Sequence, residues 1–306
     1  MQRMIRDLRR KVRPNYALPG GQFEAVHRFY TDCTWIIRGF YLVGLIFSYG
    51  LIAAISHKDP ANADFLWPVA WLDFGGLRHT MVVVPIILFA VNCAVVLRPE
   101  LRATRALFAV FCLFSSAIDM SFGAVNHGWH IWIWISVMMI FLPGHRGVPG
   151  RARKLTALSV MVYIQAMILL FYLMAGSLKL IAGFKSLAAG EMGNFSILGF
   201  SSLLADRMVQ GSGVTVLGDY FIAHPMVGYP FFLGLILVQA LAFPAAFIPR
   251  LHRALGLVLI GFHLGTGLLM DIYFSAHVLW LALFLVYSPF RVARGQWRGI
   301  SRSWFE

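Results

Sequence analysis

The chain has few charged residues and few cysteines, and both shortages exclude classes of protein. Only 13% of its 306 residues are Asp, Glu, Lys or Arg, whereas 59% are apolar and the mean hydropathy is +0.73. Soluble domains carry about twice that share of charge. The three cysteines, Cys33, Cys93 and Cys112, fall outside the two long connections predicted below, so no disulfide is expected on an oxidising face.

Several catalytic signatures are also missing from the sequence. There is no H-E-x-x-H, no C-x-x-C and no glycine-rich phosphate loop, and Gly211-Ser212-Gly213 lacks the pattern of a nucleophile elbow. No apolar segment follows the basic stretch Met1–Arg13, because Pro14–Gly21 stands where the core of a cleavable signal would be, so we expect a basic cytoplasmic arm that lies near the membrane.

What the sequence does contain is a series of apolar runs of helical length without strand-like alternation. They predict an all-α, polytopic membrane bundle of about eight transmembrane helices. The predicted domains are a basic arm at 1–33, a bundle at 34–290 with outer connections at 56–79 and 182–228, and a basic tail at 291–306. The predicted spans are Thr34–Ile55, Thr80–Leu97, Ala106–Ala124, Gly128–Pro143, Leu155–Ile181, Tyr229–Pro249, Ala254–Met270 and Tyr273–Phe290.

The basic residues support one orientation for these spans. In this arrangement 20 of the 26 Lys and Arg residues lie on a single side, which the positive-inside rule assigns to the cytoplasm together with both termini. The net charge of +13 is therefore a topology signal, and no nucleic-acid partner is expected. The expected location is a bacterial-type inner (plasma) membrane, with membrane lipid as a constant partner.

Polar residues within the spans are the candidates for function, because placing them in a bilayer is costly. On the predicted topology most of them share the outer half of the membrane. Helix-to-helix hydrogen bonding is the ordinary alternative and is the role predicted for Gln165 and Gln239, while Asp119 is expected to pair with Arg38. The candidates of the outer half are Asp119, His127, His130, Lys179, His263, Asp271 and His277.

Lys179 stands out because it ends the long apolar run of span five after the small residues Ala175, Gly176 and Ser177. An ammonium group kept from water is disfavoured, so a lysine in an apolar wall can lose its proton and act as a base. The alternative is that Lys179 extends to the nearest headgroup layer. The connection at 182–228 is expected to contain a short amphipathic helix near Phe195–Leu204 that acts either as a lid or as a plain connector.

The histidines leave two chemistries open. His127 and His130 are three residues apart and share a helix face, so with His263 and His277 they provide candidate ligands for haem or a metal ion. A neutral imidazole at His127, beside Asn126, would instead orient a base or stabilise an oxyanion.

Three stretches together resemble a known family. Val125-Asn126-His127, Met174 to Leu180 and Phe262-His263 with Phe274 are similar to the transmembrane region of the vitamin K-dependent gamma-glutamyl carboxylases and of their bacterial relatives, the HTTM (horizontally transferred transmembrane) domain proteins. The resemblance implies that Lys179 is the base that deprotonates a hydroquinone and that His127 stabilises the anion. It gives His263 a catalytic role, and Asn126, His130, Gly176 and His277 are expected to contact the quinone.

The resemblance also implies a partner. The carboxylases continue into a large extra-membrane domain that presents the protein substrate, so a partner in the membrane or on its outer face is expected here. The first hypothesis is therefore a protein that performs or assists redox-linked modification or maturation of a secreted or membrane partner. Two alternatives stay open, namely a non-enzymatic scaffold or assembly subunit, and a haem or metal-binding membrane subunit. A transporter has little support, since no inverted repeat is visible.

Overall fold

The computed structural model describes residues 20–123, 128–144, 150–210 and 215–290, and in these ranges the regular structure is entirely helical. Backbone N–H and C=O groups in a bilayer must be paired within the chain, which is why apolar runs of this length form helices there. The helices are α1 Gly20–Ser56, α2 Val83–Leu97, α3 Arg102–Met120, α4 Gly128–Met139, α5 Arg151–Ala189, α6 Gly199–Gln210, α7 Val216–Ala223, α8 Pro225–Ala240, α9 Pro249–Met270 and α10 Ser275–Leu281.

The chain is a multi-pass helical membrane protein by the length and hydropathy of these helices. Five described helices are long and apolar enough to cross a membrane, namely α1, α2, α3, α5 and α9. For α2, this span includes the preceding turn and runs from Leu77 to Leu97. A sixth span results if α7 and α8 are taken together, although their axes differ by 103°. Spans four and eight of the prediction coincide with shorter apolar helices, Gly128–Met139 and Ser275–Val286.

The shorter segment at α4 nevertheless reaches both ends of the bundle. At its start Trp129 donates its indole N–H to Asp119 Oδ2, at the end of α3, over 2.9 Å. Just after its last turn, the Leu142 carbonyl accepts a bond of 2.7 Å from Arg105 Nη2, in the first turn of α3. The two helices are therefore antiparallel neighbours, and the chain returns to the end from which α3 starts.

The segment that starts with α10 behaves in the same way. It begins beside His263, whose ring centroid is 5.0 Å from that of Phe274. It continues through a π-helical turn at Ala282–Val286 and ends where Ser288 Oγ is 2.9 Å from His252 Nδ1, in the first turn of α9. Within the described ranges, α4 and the segment that starts with α10 therefore run between the two ends of the bundle, although both are shorter than the five long helices.

An aromatic core holds four of these segments together. Phe40 of α1, Phe108 of α3, Trp132 of α4 and Trp280 of α10 are fully buried, with ring centroids 5.0 to 6.2 Å apart between Phe40 and Phe108, Phe40 and Trp280, and Phe108 and Trp132. Edge and tilted contacts of this kind add to the packing energy of large rings. Gln165 also joins two helices, donating to the Phe284 carbonyl over 2.7 Å, as predicted.

The expected pair between Asp119 and Arg38 is wrong. Asp119 lies at the end of α3 and forms an ion pair of 2.8 Å with Lys58, just past the end of α1. Arg38 stands near the opposite end of α1, and its guanidinium carbon is 5.4 Å from the centroid of the Trp35 ring. Most of the length of α1 separates Arg38 from Asp119, so depth in the bundle selects Lys58 as the partner.

The second outer connection contains the predicted short helix. Helix α6, Gly199–Gln210, buries Phe200 and Leu204 against Phe232 and Ile236 of α8, and these four residues form a small apolar cluster of their own. This connection therefore folds back over the bundle.

Candidate functional site

Three residues at heptad-like spacing place the candidate site on one face of α5. Tyr172, Gly176 and Lys179 are four and three residues apart, so their side chains share a face over about two turns. Tyr172 and Gly176 are buried and Lys179 is half-buried. This face of α5 lies against α8 and α9, as the contacts below show.

Gly176 sets the distance between α5 and α8. A Cβ atom built on Gly176 would lie 2.8 Å from both the Cα of Ala240 and the carbonyl carbon of Gln239, closer than a side-chain atom can approach a backbone. Small residues allow helix backbones in membranes to come this near. Gly176 therefore brings the last turn of α8 within reach of the side chain one turn further along α5.

That side chain is Lys179, and it binds a neutral group. Lys179 Nζ donates to Gln239 Oε1 over 2.8 Å, and Gln239 is 1% exposed. The two ion pairs found among the described residues involve Lys58 and Arg78, and neither includes Lys179. Lys179 is thus held at a defined position by an amide and not by a carboxylate.

A phenylalanine connects Lys179 to a histidine pair on the next helices. The Phe262 ring centroid lies 5.8 Å from Lys179 Nζ and 4.7 Å from the ring centroid of His263. The His263 ring is 4.9 Å from that of His277, at the start of α10, and both histidines are buried. The structure therefore brings Lys179, His263 and His277 into one region of the bundle.

His263 has one nitrogen bonded and one that the described residues leave unpaired. Its Nε2 lies 2.6 Å from the Tyr172 hydroxyl, and its buried Nδ1 has no hydrogen-bond partner among the described residues. A buried polar atom without a partner costs free energy and calls for an explanation. A bound polar ligand, such as one carrying a hydroxyl group, would supply the missing partner.

The second outer connection covers the end of α5 that carries Lys179. Asn194 donates its amide N–H to the Lys179 carbonyl over 2.8 Å, and Tyr229 of α8 donates its hydroxyl to the Phe195 carbonyl, also over 2.8 Å. The Phe195 ring lies 3.0 Å from where a Cβ of Gly183 would be. These contacts pack the connection against α5 at Lys179 and beyond it.

Of the other predicted site residues, Asn126 and His127 lie outside the described part of the chain, and the structure describes His130 and Gly176. Asn126 and His127 belong to the four residues between Gly123 and Gly128 whose structure is not described, so the expected partnership of His127 with Lys179 stays a prediction. His130 is half-buried in the first turn of α4. Gly176 acts through backbone packing.

Sequence reasoning missed the role of Tyr172 and assigned Gln239 to a general interhelical bond. The signal for Tyr172 was available, since a residue seven positions before Lys179 shares its helix face. No such signal exists for Gln239, because the sequence does not reveal that α5 and α8 are neighbours.

This region combines an amine, apolar aromatic surface and an imidazole nitrogen. Within the described ranges no three His, Cys, Asp or Glu side chains are grouped so that they could hold a metal. An amine with a neutral partner, aromatic walls at Phe262 and Phe274 and an unpaired imidazole nitrogen offer a base, apolar surface and a hydrogen-bonding group. The haem or metal reading stays a prediction that an absorption spectrum and metal analysis would test.

Comparisons of this chain with protein-family models, with curated proteins and with solved structures gave no match.

Proposed function

We propose that this multi-pass membrane protein belongs to the HTTM class and uses Lys179 as a base toward a lipid-soluble hydroquinone at the outer end of the bundle. In this proposal eight segments cross a bacterial-type inner membrane, with both termini in the cytoplasm. The observation that carries it is the half-buried amine of Lys179, bonded to the neutral side chain of Gln239. The resemblance of Met174 to Leu180 to the carboxylase motif supports the same role.

The pairing with an amide is compatible with an uncharged amine. A carboxylate beside Lys179 would stabilise the ammonium form, whereas an amide oxygen accepts one N–H from either form. Uncharged, Lys179 can donate one N–H to Gln239 and still use its lone pair to take the proton of a hydroquinone hydroxyl. Dioxygen is the proposed electron acceptor, and in the simplest balance hydroquinone and dioxygen give quinone and hydrogen peroxide.

The buried histidines supply the rest of the proposed site. The Tyr172 hydroxyl orients His263, and the Nδ1 atom on the other side of its ring is available to a ligand oxygen. The His277 ring, tilted against that of His263 with the centroids 4.9 Å apart, adds a second imidazole to the site. In the full proposal His127 stabilises the anion, and a partner protein of the outer face receives the modification.

The experiment compares hydroquinone consumption by three reconstituted proteins. We expect wild type to consume a reduced naphthoquinone in the presence of oxygen, Lys179→Ala to lose this activity, and Lys185→Ala to keep it. Lys185 is a matched control because it is exposed on the same helix. Equal consumption by wild type and Lys179→Ala would remove the enzymatic proposal.

A second candidate function is a non-enzymatic scaffold, and one observation favours it. The close approach at Gly176, followed by the amide bond at Lys179, is also how membrane helices are held together without any chemistry. If the protein is a scaffold, we expect the Lys179→Met variant to keep its biological activity. Its partner would instead be lost on changing the exposed Trp67 and Trp71 of the first outer connection, which a pull-down with tagged protein tests.

A further inference from the structure

A groove far from Lys179 opens on the lipid-facing side of the bundle. It lies between α1 and the π-helical turn after α10, has a volume of about 380 Å³, and is lined by Asp32, Trp35, Ile36, Leu283 and Tyr287. Sites for small molecules fall in a range of about 300 to 1,000 Å³. The groove is therefore large enough for a compact polar group and too small to enclose a whole lipid.

The groove lies near the edge of the membrane-crossing region. The candidate span of α1 starts at Phe29, so Asp32 is in its first turn, and Tyr287 follows the last turn of the final segment. Trp35 and Tyr287 are 64% and 63% exposed. Tryptophan and tyrosine with exposed rings are typical of the level of lipid head groups.

Charges of both signs meet at the Trp35 ring. The half-buried carboxylate of Asp32 has neither an ion pair nor a hydrogen bond among the described residues. The exposed guanidinium of Arg38, two turns deeper along α1, reaches back to 5.4 Å from the centroid of Trp35. A ligand in this groove would find the Asp32 carboxylate as an acceptor for a cation and, beside the Trp35 ring, the Arg38 guanidinium as a donor for an anion.

An apolar stripe continues from the groove along the same helix. Trp35, Leu42, Ile46 and Tyr49 are seven, four and three residues apart, which places them on one face of α1, and all four are exposed. This stripe faces away from the buried core and offers a path for a hydrocarbon chain. The order from the membrane edge inward is thus carboxylate, aromatic ring, guanidinium and apolar stripe.

The opposite wall of the groove is built by an irregular turn. Leu283 belongs to the π-helical turn Ala282–Val286, and it approaches α1 where Gly39 has no side chain, 3.1 Å from the position of a Cβ. Single π-helical turns inside α-helices are rare and are found frequently at functional sites. Here the turn displaces Leu283 and Tyr287 from regular helical positions, next to Asp32.

We propose that this groove binds the head group of a membrane phospholipid that carries a primary ammonium, as ethanolamine phospholipids do. The ammonium is bound by Asp32 and the faces of Trp35 and Tyr287, the phosphate by Arg38, and one acyl chain follows the stripe through Leu42, Ile46 and Tyr49. The polarity of the groove matches that of the lipid, whose ammonium is outermost, then its phosphate, then its chains.

The carboxylate explains the choice of head group. A primary ammonium has three N–H donors for the Asp32 oxygens, whereas a choline head group has none and a glycerol head group leaves the lipid with a net negative charge. Cation–π attraction at Trp35 and Tyr287 adds to the binding of the ammonium. This site does not depend on the hydroquinone proposal, because it lies at the opposite end of the bundle from Lys179.

Native mass spectrometry of the full chain tests the proposal. Protein in detergent is supplied with equal amounts of dioleoyl phosphatidylethanolamine, phosphatidylcholine and phosphatidylglycerol, and the lipid retained on the protein is identified. We expect wild type to retain phosphatidylethanolamine in preference to the other two. Asp32→Asn, which keeps size and shape, should lower its affinity by about tenfold, the loss expected for a charged hydrogen bond.

Two further variants make the outcome decisive. Asp32→Glu keeps the carboxylate and should retain the preference, which separates charge from general damage to the fold. Glu191→Gln removes an exposed carboxylate elsewhere and should change nothing. The proposal is overturned if Asp32→Asn retains phosphatidylethanolamine as well as wild type, or if wild type retains the three lipids equally.

Discussion

Gln239 decides whether the amine at Lys179 can serve as a base. The amide oxygen holds the lysine in place without supplying a negative charge. Its replacement by glutamate would change almost no atoms and would add the charge that stabilises an ammonium ion. The nearly isosteric change Gln239→Glu therefore tests the site. If Lys179 had only a structural role, this change would not slow hydroquinone consumption.

We predict that Gln239→Glu slows hydroquinone consumption by at least about tenfold, because an ion pair with Lys179 keeps the base protonated. The same change should raise the apparent melting temperature, since a buried ammonium gains a partner. Gln239→Met, which is neutral and of similar size, should stay within a few-fold of wild type. If Gln239→Glu consumed hydroquinone at the wild-type rate, Lys179 would not be acting as a base.

At the scale of helices, the approach of α5 to α8 depends on the absence of a side chain at Gly176. The nearest atoms to a Cβ at this position belong to the backbone of Ala240 and Gln239, which cannot rotate away as a flexible side chain would. Separating the two helices would also move Gln239 away from Lys179. Packing and chemistry are therefore linked at this crossing.

Gly176→Ala should destabilise the protein by about 1–3 kcal/mol, the usual cost of overpacking. The measurement is thermal unfolding in detergent, followed by fluorescence of the native tryptophans. Gly234→Ala is the control, because Gly234 lies in α8, the helix that Gly176 contacts, and a Cβ there meets nothing within 4 Å. Equal melting temperatures for Gly176→Ala and Gly234→Ala would contradict the close contact.

Hydropathy predicted where the helices are, and it could not predict how they end or which of them are neighbours. Five of the eight expected spans coincide with helices long enough to cross a membrane, since unpaired backbone groups are costly in a bilayer. Span six overlaps α8, which ends earlier, at Ala240, and spans four and eight coincide with shorter apolar helices. The prediction ended span five at Ile181, whereas α5 continues to Ala189 through residues that pack against the second outer connection. The π-helical turn at Ala282–Val286 leaves no pattern in the sequence.

The same limit explains the outcome at the site. Lys179, His263 and His277 were expected together because the predicted topology gave them a common depth, and depth follows from counting residues along apolar runs. The predicted partner of Asp119 was wrong because the sequence does not reveal which side chain faces it at the end of α3. Lys58, at the end of α1, meets that condition.

At the scale of the whole molecule, the topology follows from whether α4 and α10 cross the membrane. Both start at one end of the bundle and finish at the other, with Leu142 against Arg105 and Ser288 against His252. If both cross, the eight predicted spans place the two ends of the described chain on one side of the membrane, as the distribution of basic residues predicts.

We predict that cysteines introduced at Glu100 and Gly144 react with a membrane-impermeant maleimide from the same side, and that one at Phe74 reacts from the other. Gly144 is suited to this test because a Cβ there would lie 3.5 Å from the Glu100 carbonyl. The background lacks the native cysteines Cys33, Cys93 and Cys112. Labelling of Gly144→Cys from the side of Phe74→Cys would show that α4 turns back before crossing.

The length of α5 makes the protein responsive to bilayer thickness. Its 39 residues measure about 58 Å, and the 25 residues from Leu155 to Lys179 alone measure about 38 Å, against a hydrocarbon layer of about 30 Å. When α5 stands perpendicular to the membrane, the Lys179 amine lies outside the hydrocarbon layer. When α5 tilts, the amine moves into that layer. Thicker, longer-chained lipids would therefore submerge Lys179, and thinner ones would hydrate it.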